Sequence, residues 1–250
     1  MNPVNNDGWF IVTGASGSIG REVVKGLALR GVNVIMACRN LSKGGAVMQS
    51  VLADVPEASL RLEMLDLSSS DSIRNFSERI ANDNISGIFN NAGAIFRDFA
   101  VTPEGRERTF AVNYFGPVEL TEALLPMLKP GCSVVNMVSV TARISSLSDA
   151  DFIPDRKRFG QLKTYGKAKL ALLRYSRELA ARRPDLHVNV ADPGVVNSNM
   201  ISMGRWFDPI ADAIFRPFCK SPEKGAIPAL NAIFHNGSLR YFSGNSSRKM

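Results

Sequence analysis

Apolar residues come along this chain in short, dense runs: "WFIVT" from Trp9, "VNVIMAC" from Val32, "LRLEML" from Leu60, "SGIFNN" from Ser86, "CSVVNMVS" from Cys132 and "HVNVA" from His187. A strand with one wet face alternates polar and apolar positions. These runs are nearly continuous, as buried parallel strands covered on both faces are. Between them lie longer stretches in which apolar positions recur at helical spacing, over residues 18–30, 42–53, 70–81, 103–128 and 162–182. Thr102 before Pro103 reads as an N-cap with proline at the first helical position, and Pro184 closes the last helix. The alternation predicts an α/β fold, one doubly wound parallel sheet with helices on both faces. No repeat, low-complexity tract or linker interrupts it, so residues 1–250 are expected to form a single domain.

Composition narrows the function classes. With 250 residues, 45% of them hydrophobic, the chain can build one large core. No apolar run approaches the roughly 18 residues a bilayer span needs, and "MNPVNNDGWF" lacks the basic start and apolar stretch of a secretory signal. A cytoplasmic protein is the expectation. Cys38, Cys132 and Cys219 are odd in number, far apart and set among apolar residues, which suits buried, reduced thiols. His187 and His235 are isolated, so no metal is expected. The net charge of +7 is compatible with nucleic acid or an anionic ligand. Its densest basic run, "RKRF" from Arg156, lacks the interleaved aromatics of a stacking platform, and Arg182 with Arg183 falls near a helix end, where cations suit the dipole. No nucleic-acid partner is expected.

Directly after the first strand comes "TGASGSIG", leading into a helix. Glycines at a strand-to-helix turn let backbone approach a pyrophosphate, and the helix N-terminus offers amide donors. Gly14, Ser16, Gly17, Ser18, Ile19 and Gly20 are therefore candidate dinucleotide contacts. A chain that selects NAD offers an acid near the end of the second strand, whereas an arginine there accommodates a 2′-phosphate. Here the strand ends "MACRN". Arg39 can fork onto a phosphate, with Asn40 or Ser16 adding hydrogen bonds, so NADP(H) is the predicted cofactor.

In "LKTYGKAKL" a tyrosine and a lysine stand four apart, one helical turn, so Tyr165 and Lys169 share a face. Alone, the pair could be an ordinary exposed helix face. It is not alone: "TGASGSIG", "LDLSS" after strand three, "NNAG" from Asn90, Asn113 in "FAVNYFG", Ser139 in "VVNMVSV", "YGKAK" and "DPGVVNSNM" from Asp192 follow in order. This series resembles the short-chain dehydrogenase/reductase family over nearly the whole chain. Within it, "ACRN", the long spacing from Ser139 to Tyr165, "KSPEKGA" and "LRYFSG" look most like the subgroup of retinol dehydrogenases.

The resemblance implies a Rossmann-like fold and an NADP(H)-dependent oxidoreductase interconverting an alcohol and a carbonyl, with Tyr165 as general acid/base. Lys169 would hold the nicotinamide ribose and, together with a positively charged oxidised nicotinamide, bring the phenol toward working pH, Ser139 would bond the substrate oxygen, and Asn113 would support a water-linked proton path to Lys169. Asp66 and Leu67 would meet the adenine, Asn91, Ala92 and Gly93 would line the pocket, and Pro193, Gly194, Val196 and Ser198 would frame the nicotinamide. Two departures stand out: the middle glycine of the turn is displaced by one, Gly17 preceding Ser18, and the residue before the lysine, often serine, is Ala168.

Residues 199–220, "NMISMGRWFDPIADAIFRPFCK", hold the position of a substrate-covering segment. Its many large apolar groups imply a hydrophobic alcohol or carbonyl substrate. Arg205, Arg216 and Lys220 among them admit peripheral contact with a membrane surface. The resemblance also implies a homo-oligomer paired through the long helices of Asn113 and Tyr165. A cofactor sensor of the same fold without turnover is the competing expectation; the intact set of Asn113, Ser139, Tyr165 and Lys169 argues against it. The terminal "NSSRKM" is expected to fray.

Overall fold

A computed structural model of the chain describes residues 7–194 and 220–250. The apolar runs form strands β1 (Trp9–Thr13), β2 (Asn33–Cys38), β3 (Leu60–Met64), β4 (Ile85–Asn90), β5 (Ser133–Met137) and β6 (His187–Asp192). Two more, β7 (Arg240–Ser243) and β8 (Ser246–Lys249), complete one sheet of order β3-β2-β1-β4-β5-β6-β7-β8. Every neighbouring pair is parallel except β7 with β8. Helices α1 (Ser18–Ala28), α2 (Leu41–Asp54), α3 (Ser70–Arg79), α4 (Arg108–Phe110), α5 (Gly116–Leu124), α6 (Gln161–Arg182) and α7 (Pro222–Ile233) cover it.

The two faces follow from the two-residue period of a strand. Phe10 and Val12 point into one core with Val24 and Leu27 of α1, Val51 of α2 and Ala229 of α7. Ile11 between them points into the other, with Phe76 of α3, Leu120 of α5 and Leu172 and Leu179 of α6. The order reverses between β1 and β4, and a crevice opens there at the carboxyl ends of the strands.

Three segments depart from the sequence pattern. The stretch expected to start a helix at Pro103 instead folds back on itself: Gly105 adopts φ 74°, and the Thr102 amide donates to the Arg106 carbonyl at 2.8 Å. Proline followed two residues later by glycine is turn chemistry, which here wins over the cap signal. The helix starts at Arg108, capped by buried Glu107, whose carboxylate accepts the Phe110 amide at 3.0 Å. It then widens into a π-turn over Ala111–Phe115 before α5. The terminal residues are not frayed: Ser246–Lys249 pairs antiparallel with β7 and closes the sheet edge.

A polar seam runs through the second core. The Asn90 amide donates to Thr121 Oγ1 at 2.9 Å and to Asn136 Oδ1 at 2.8 Å, and the Asn136 amide donates to Ser176 Oγ at 2.9 Å. All four residues are fully or almost fully buried. The seam joins β4 and β5 to α5 and α6, fixing how the two long helices sit on the strands that carry the site. Because a buried amide without a partner costs about 1–3 kcal/mol, Asn136→Ala is expected to lower unfolding free energy by about 2–3 kcal/mol, read as a shifted urea midpoint.

Candidate active site

β1 delivers the chain to Gly14, where φ is 62° and a Cβ would stand 2.8 Å from the Ala92 Cα. At Gly20 a Cβ would meet the Gly14 carbonyl at 2.4 Å. These two positions need glycine. Gly17 does not: its φ of −80° and ψ of 163° are ordinary extended backbone. The displaced glycine thus leaves the turn intact, and Ser18 opens α1 without strain. No side chain caps α1 and no acid stands in its first turn, so its leading amides are left for an anion.

Thr13, which the motif reading passed over, ties this turn to the one after β4. Its hydroxyl oxygen accepts the amides of both Asn91 and Ala92 at 3.0 Å. The Asn91 side-chain amide donates to the carbonyls of Thr13 and Gly14 at 2.9 and 3.2 Å. Asn91 is therefore a brace between the two loops.

The loops enclose a cleft of about 760 Å³. Gly14, Ser16, Gly17, Ser18, Ile19, Gly20, Arg39, Asn40, Asp66, Leu67, Asn91, Ala92 and Gly93 all line it. Besides Asn91, two of them are partly committed: Asn40 Oδ1 accepts the Lys43 amide at 2.9 Å as the N-cap of α2, and Asp66 accepts both the amide and hydroxyl of Ser68, at 2.9 and 2.6 Å. Lys43 joins Arg39 on the rim; both are exposed, and neither forms an ion pair with a described residue. Lys43 escaped the sequence reading because it lies beyond the strand end, inside a helix; only its position one turn past the N-cap could have signalled it. Glycine-lined backbone, uncapped helix amides and two cations are the features a phosphorylated dinucleotide requires.

Past Gly93 the cleft meets the predicted chemical groups. A Cβ on Gly93 would come within 2.9 Å of Asn113 Oδ1 and 3.4 Å of Lys169 Nζ. Ser139 follows β5 and opens a short 3₁₀ segment, Val140–Ile144, where its hydroxyl oxygen accepts the Thr141 amide at 3.3 Å. Tyr165 and Lys169 occupy the first turns of α6, both buried. The long insert between Ser139 and α6 is clasped to the helix before α5: Phe152 packs against Phe110, Tyr114 and Phe115 at centroid distances of 5.6, 5.5 and 6.2 Å. Ala168, in place of the more frequent serine, is fully buried against Phe110 and Ala171.

Asn113 sits in the π-turn with no exposed surface, and such turns put one residue out of helical register. Its side-chain amide donates to the carbonyls of Ala94 and Thr109, both at 2.8 Å, and its oxygen accepts the Ala94 amide at 3.2 Å. Those bonds make it a fastener for the loop after β4. Pro193 and Gly194 form the turn after β6, Gly194 with φ 72°. Val196, Ser198 and the covering segment at 199–219 lie outside the described residues, as does Cys219. Cys38 and Cys132 are free, buried thiols, and no group of metal-ligating side chains occurs among the described residues.

The electrostatics differ from the expected ones. Burial pushes the Tyr165 phenol above its ordinary range; the Ser139 hydroxyl pulls it back, and the charge of Asp192 pushes it up again. Burial also lowers Lys169 to about 7. Its ammonium donates to the Met137 carbonyl at 2.9 Å and lies 5.7 Å from the centre of the Tyr165 ring. In the chain itself desolvation therefore dominates both groups, and the phenol is held neutral rather than drawn toward ionisation.

Residues 9–205 match the family model for short chain dehydrogenases. The chain belongs to this family, whose members are oxidoreductases. It is similar to retinol dehydrogenase 12 of Mus musculus, 35% identical over 243 residues that cover 93% of this chain and 76% of the mouse protein. Among solved structures it resembles an uncharacterized protein from Mycobacterium paratuberculosis, with TM-score 0.78 and 25% identity over 97% of this chain and 84% of that one. A short chain dehydrogenase from Shigella flexneri 2a, solved with NADP, shares the fold with TM-score 0.72 and 21% identity, over 98% of this chain and 100% of that one. Among the described residues no helix is long and apolar enough to cross a membrane.

Two outcomes are expected. Thr13→Val removes the acceptor shared by two amides and should cost about 2 kcal/mol in chemical denaturation. Lys169 has a folded pKa below its unfolded one, so the unfolded chain binds the extra proton between them. Its contribution to stability should rise with pH from about 7 to about 10. Melting curves across that window should show the rise in the parent and a flatter profile in Lys169→Met.

Proposed function

We propose that this chain is an NADP(H)-dependent oxidoreductase that interconverts an alcohol and a carbonyl on a hydrophobic small molecule. The observation that carries the reading is the junction at Gly93. There a glycine-lined cleft with Arg39 and Lys43 on its far rim runs into Lys169, on the helix that presents Tyr165 to Ser139.

Gly14, Gly17 and Gly20 with the amides of α1 would hold the pyrophosphate, and Arg39 and Lys43 the 2′-phosphate. When bound, the nicotinamide supplies or accepts the hydride. The protein supplies position and the proton. Tyr165 keeps its proton on Oη at neutral pH because burial disfavours the phenolate, so it enters the reductive direction loaded as a donor to the carbonyl oxygen. The Ser139 hydroxyl, which pulls the pKa of that phenol down, would align the same oxygen. Lys169 stands one turn behind the phenol, with its ammonium on the Met137 carbonyl and beside Gly93, and would hold the ribose of the cofactor. In the alcohol-oxidising direction the same phenol oxygen takes the proton. Apolar side chains support a greasy substrate: Ile95 and Phe96 line the cleft, and Ile144, on the 3₁₀ segment that Ser139 opens, is 86% exposed.

NADPH consumption across a panel of retinoid, steroid, quinone and simple aldehyde carbonyls tests the reading. Turnover should fall by about 10²-fold or more in Tyr165→Phe. Arg39→Gln and Lys43→Gln should each weaken NADPH by about tenfold, as loss of a charge-assisted contact does, while leaving NADH unaffected. A parent enzyme that prefers NADH would overturn the cofactor assignment.

A further inference from the structure

We propose that Lys220 is a further cofactor-binding residue, its ammonium closing on the pyrophosphate from the bank of the cleft opposite Arg39. This rests on the reading of the chain as a dinucleotide-dependent enzyme.

Helices α1 and α7 pack together on one face of the sheet. Two contacts fix their direction and register: a Cβ on Gly26 would meet Leu230 Cδ1 at 2.7 Å, and the Arg30 guanidinium lies 5.0 Å from the centre of the Phe234 ring. Each contact lies one turn beyond the other on both helices, so the two run in the same direction. The same register carried back puts Ser18, which opens α1, level with Pro222, which opens α7. Topology agrees. Each helix joins two parallel strands, β1 to β2 and β6 to β7, so each begins over the carboxyl ends of the strands, where the cleft opens. Lys220 thus precedes α7 just as Ser16, which lines the cleft, precedes α1.

The side chain of Lys220 is half-buried and lies along the turn after β6. Its Nζ, Cε and Cδ stand 3.2, 3.6 and 3.9 Å from where a Cβ on Gly194 would be. That turn is held in place, for Gly194 has φ 72° and its amide donates to Asp192 Oδ1 at 2.9 Å. The ammonium forms no ion pair with a described residue. Asp192, the acid of the same turn, is already engaged by the Gly194 amide and, at 2.6 Å, by the Tyr241 hydroxyl. The amides of α7 are no rival anion site, because Ser221 caps them, accepting the Lys224 amide at 3.4 Å.

Charge then selects the ligand group. Arg39 and Lys43 follow β2, on the far side of β1 from β6, where the 2′-phosphate is assigned. On the β6 side the ribose and the nicotinamide ring carry no negative charge, so the pyrophosphate is the group a cation would meet. The uncapped amides of α1 offer it only the partial charge of a helix end. Packed helices have axes about 8–10 Å apart, a gap that a lysine side chain and one phosphate span between them. Lys220 supplies the full charge from the other bank.

The test uses pieces of the cofactor. ADP-ribose holds the pyrophosphate without a 2′-phosphate, and 2′-AMP the reverse. Lys220→Gln should weaken NADPH, NADH and ADP-ribose each by about tenfold, as loss of a charge-assisted contact does, and leave 2′-AMP unchanged; Lys220→Arg should restore most of the loss. Arg39→Gln should weaken NADPH and 2′-AMP and spare ADP-ribose. Unchanged ADP-ribose affinity in Lys220→Gln, or an equal loss of 2′-AMP, would overturn the proposal. The parent protein gives a second measurement that needs no variant: reductive methylation read by mass spectrometry. ADP-ribose should slow modification of Lys220, and 2′-AMP that of Lys43. Lys43 shielded by 2′-AMP with Lys220 open under ADP-ribose removes only this inference. If NADPH shields neither lysine, the dinucleotide reading fails and takes the inference with it.

Discussion

An ammonium group buried to 1% exposure beside a tyrosine is the constraint around which the site is organised. Desolvating a lysine is expensive, and the fold meets the cost with a single carbonyl, that of Met137 at the end of β5. To bring that carbonyl there, β5 must lie between β4 and β6, and α6 must cross the sheet with its first turns over the strand ends. The aromatic clasp of Phe152 on Phe110, Tyr114 and Phe115 then fixes the insert that leads into α6. Remove the need to bury Lys169, and much of this arrangement loses its reason.

Much of this was legible beforehand because its signals are local. β-rich apolar runs gave strands within a residue or two, and a glycine-rich turn between the first strand and first helix located the cleft. Tyr165 and Lys169 stood out through helical spacing together with the ordered motifs around them. What escaped depended on partners distant in sequence. Thr13 looks like any strand-end threonine until Asn91 and Ala92 arrive on it. The apparent cap at Thr102 failed because Gly105 made a turn the cheaper local choice. Spacing reveals a neighbouring cation but not how strongly burial raises the Tyr165 phenol in the chain alone.

The terminal hairpin shows the same limit. A polar, basic ending carries no periodic signal, and its order comes from pairing with β7 and from Arg248 lying over the Tyr241 ring. β7 in turn pairs parallel to β6 through Val190, Ala191 and Asp192. The sheet thus extends past the strands that bear the chemistry, and these lie well inside it.

The polar seam of Asn90, Thr121, Asn136 and Ser176 bears on how the molecule assembles. Its hydrogen bonds span 31, 46 and 40 residues of sequence, so no one of them closes as a local event. An intermediate with β4 and β5 paired but α6 undocked would carry a stranded amide in a forming core, an energetic penalty on partial structure. Such a seam discourages half-built states and makes the docking of α5 and α6 concerted. It also makes it slow, since several long loops must close before any reward is collected.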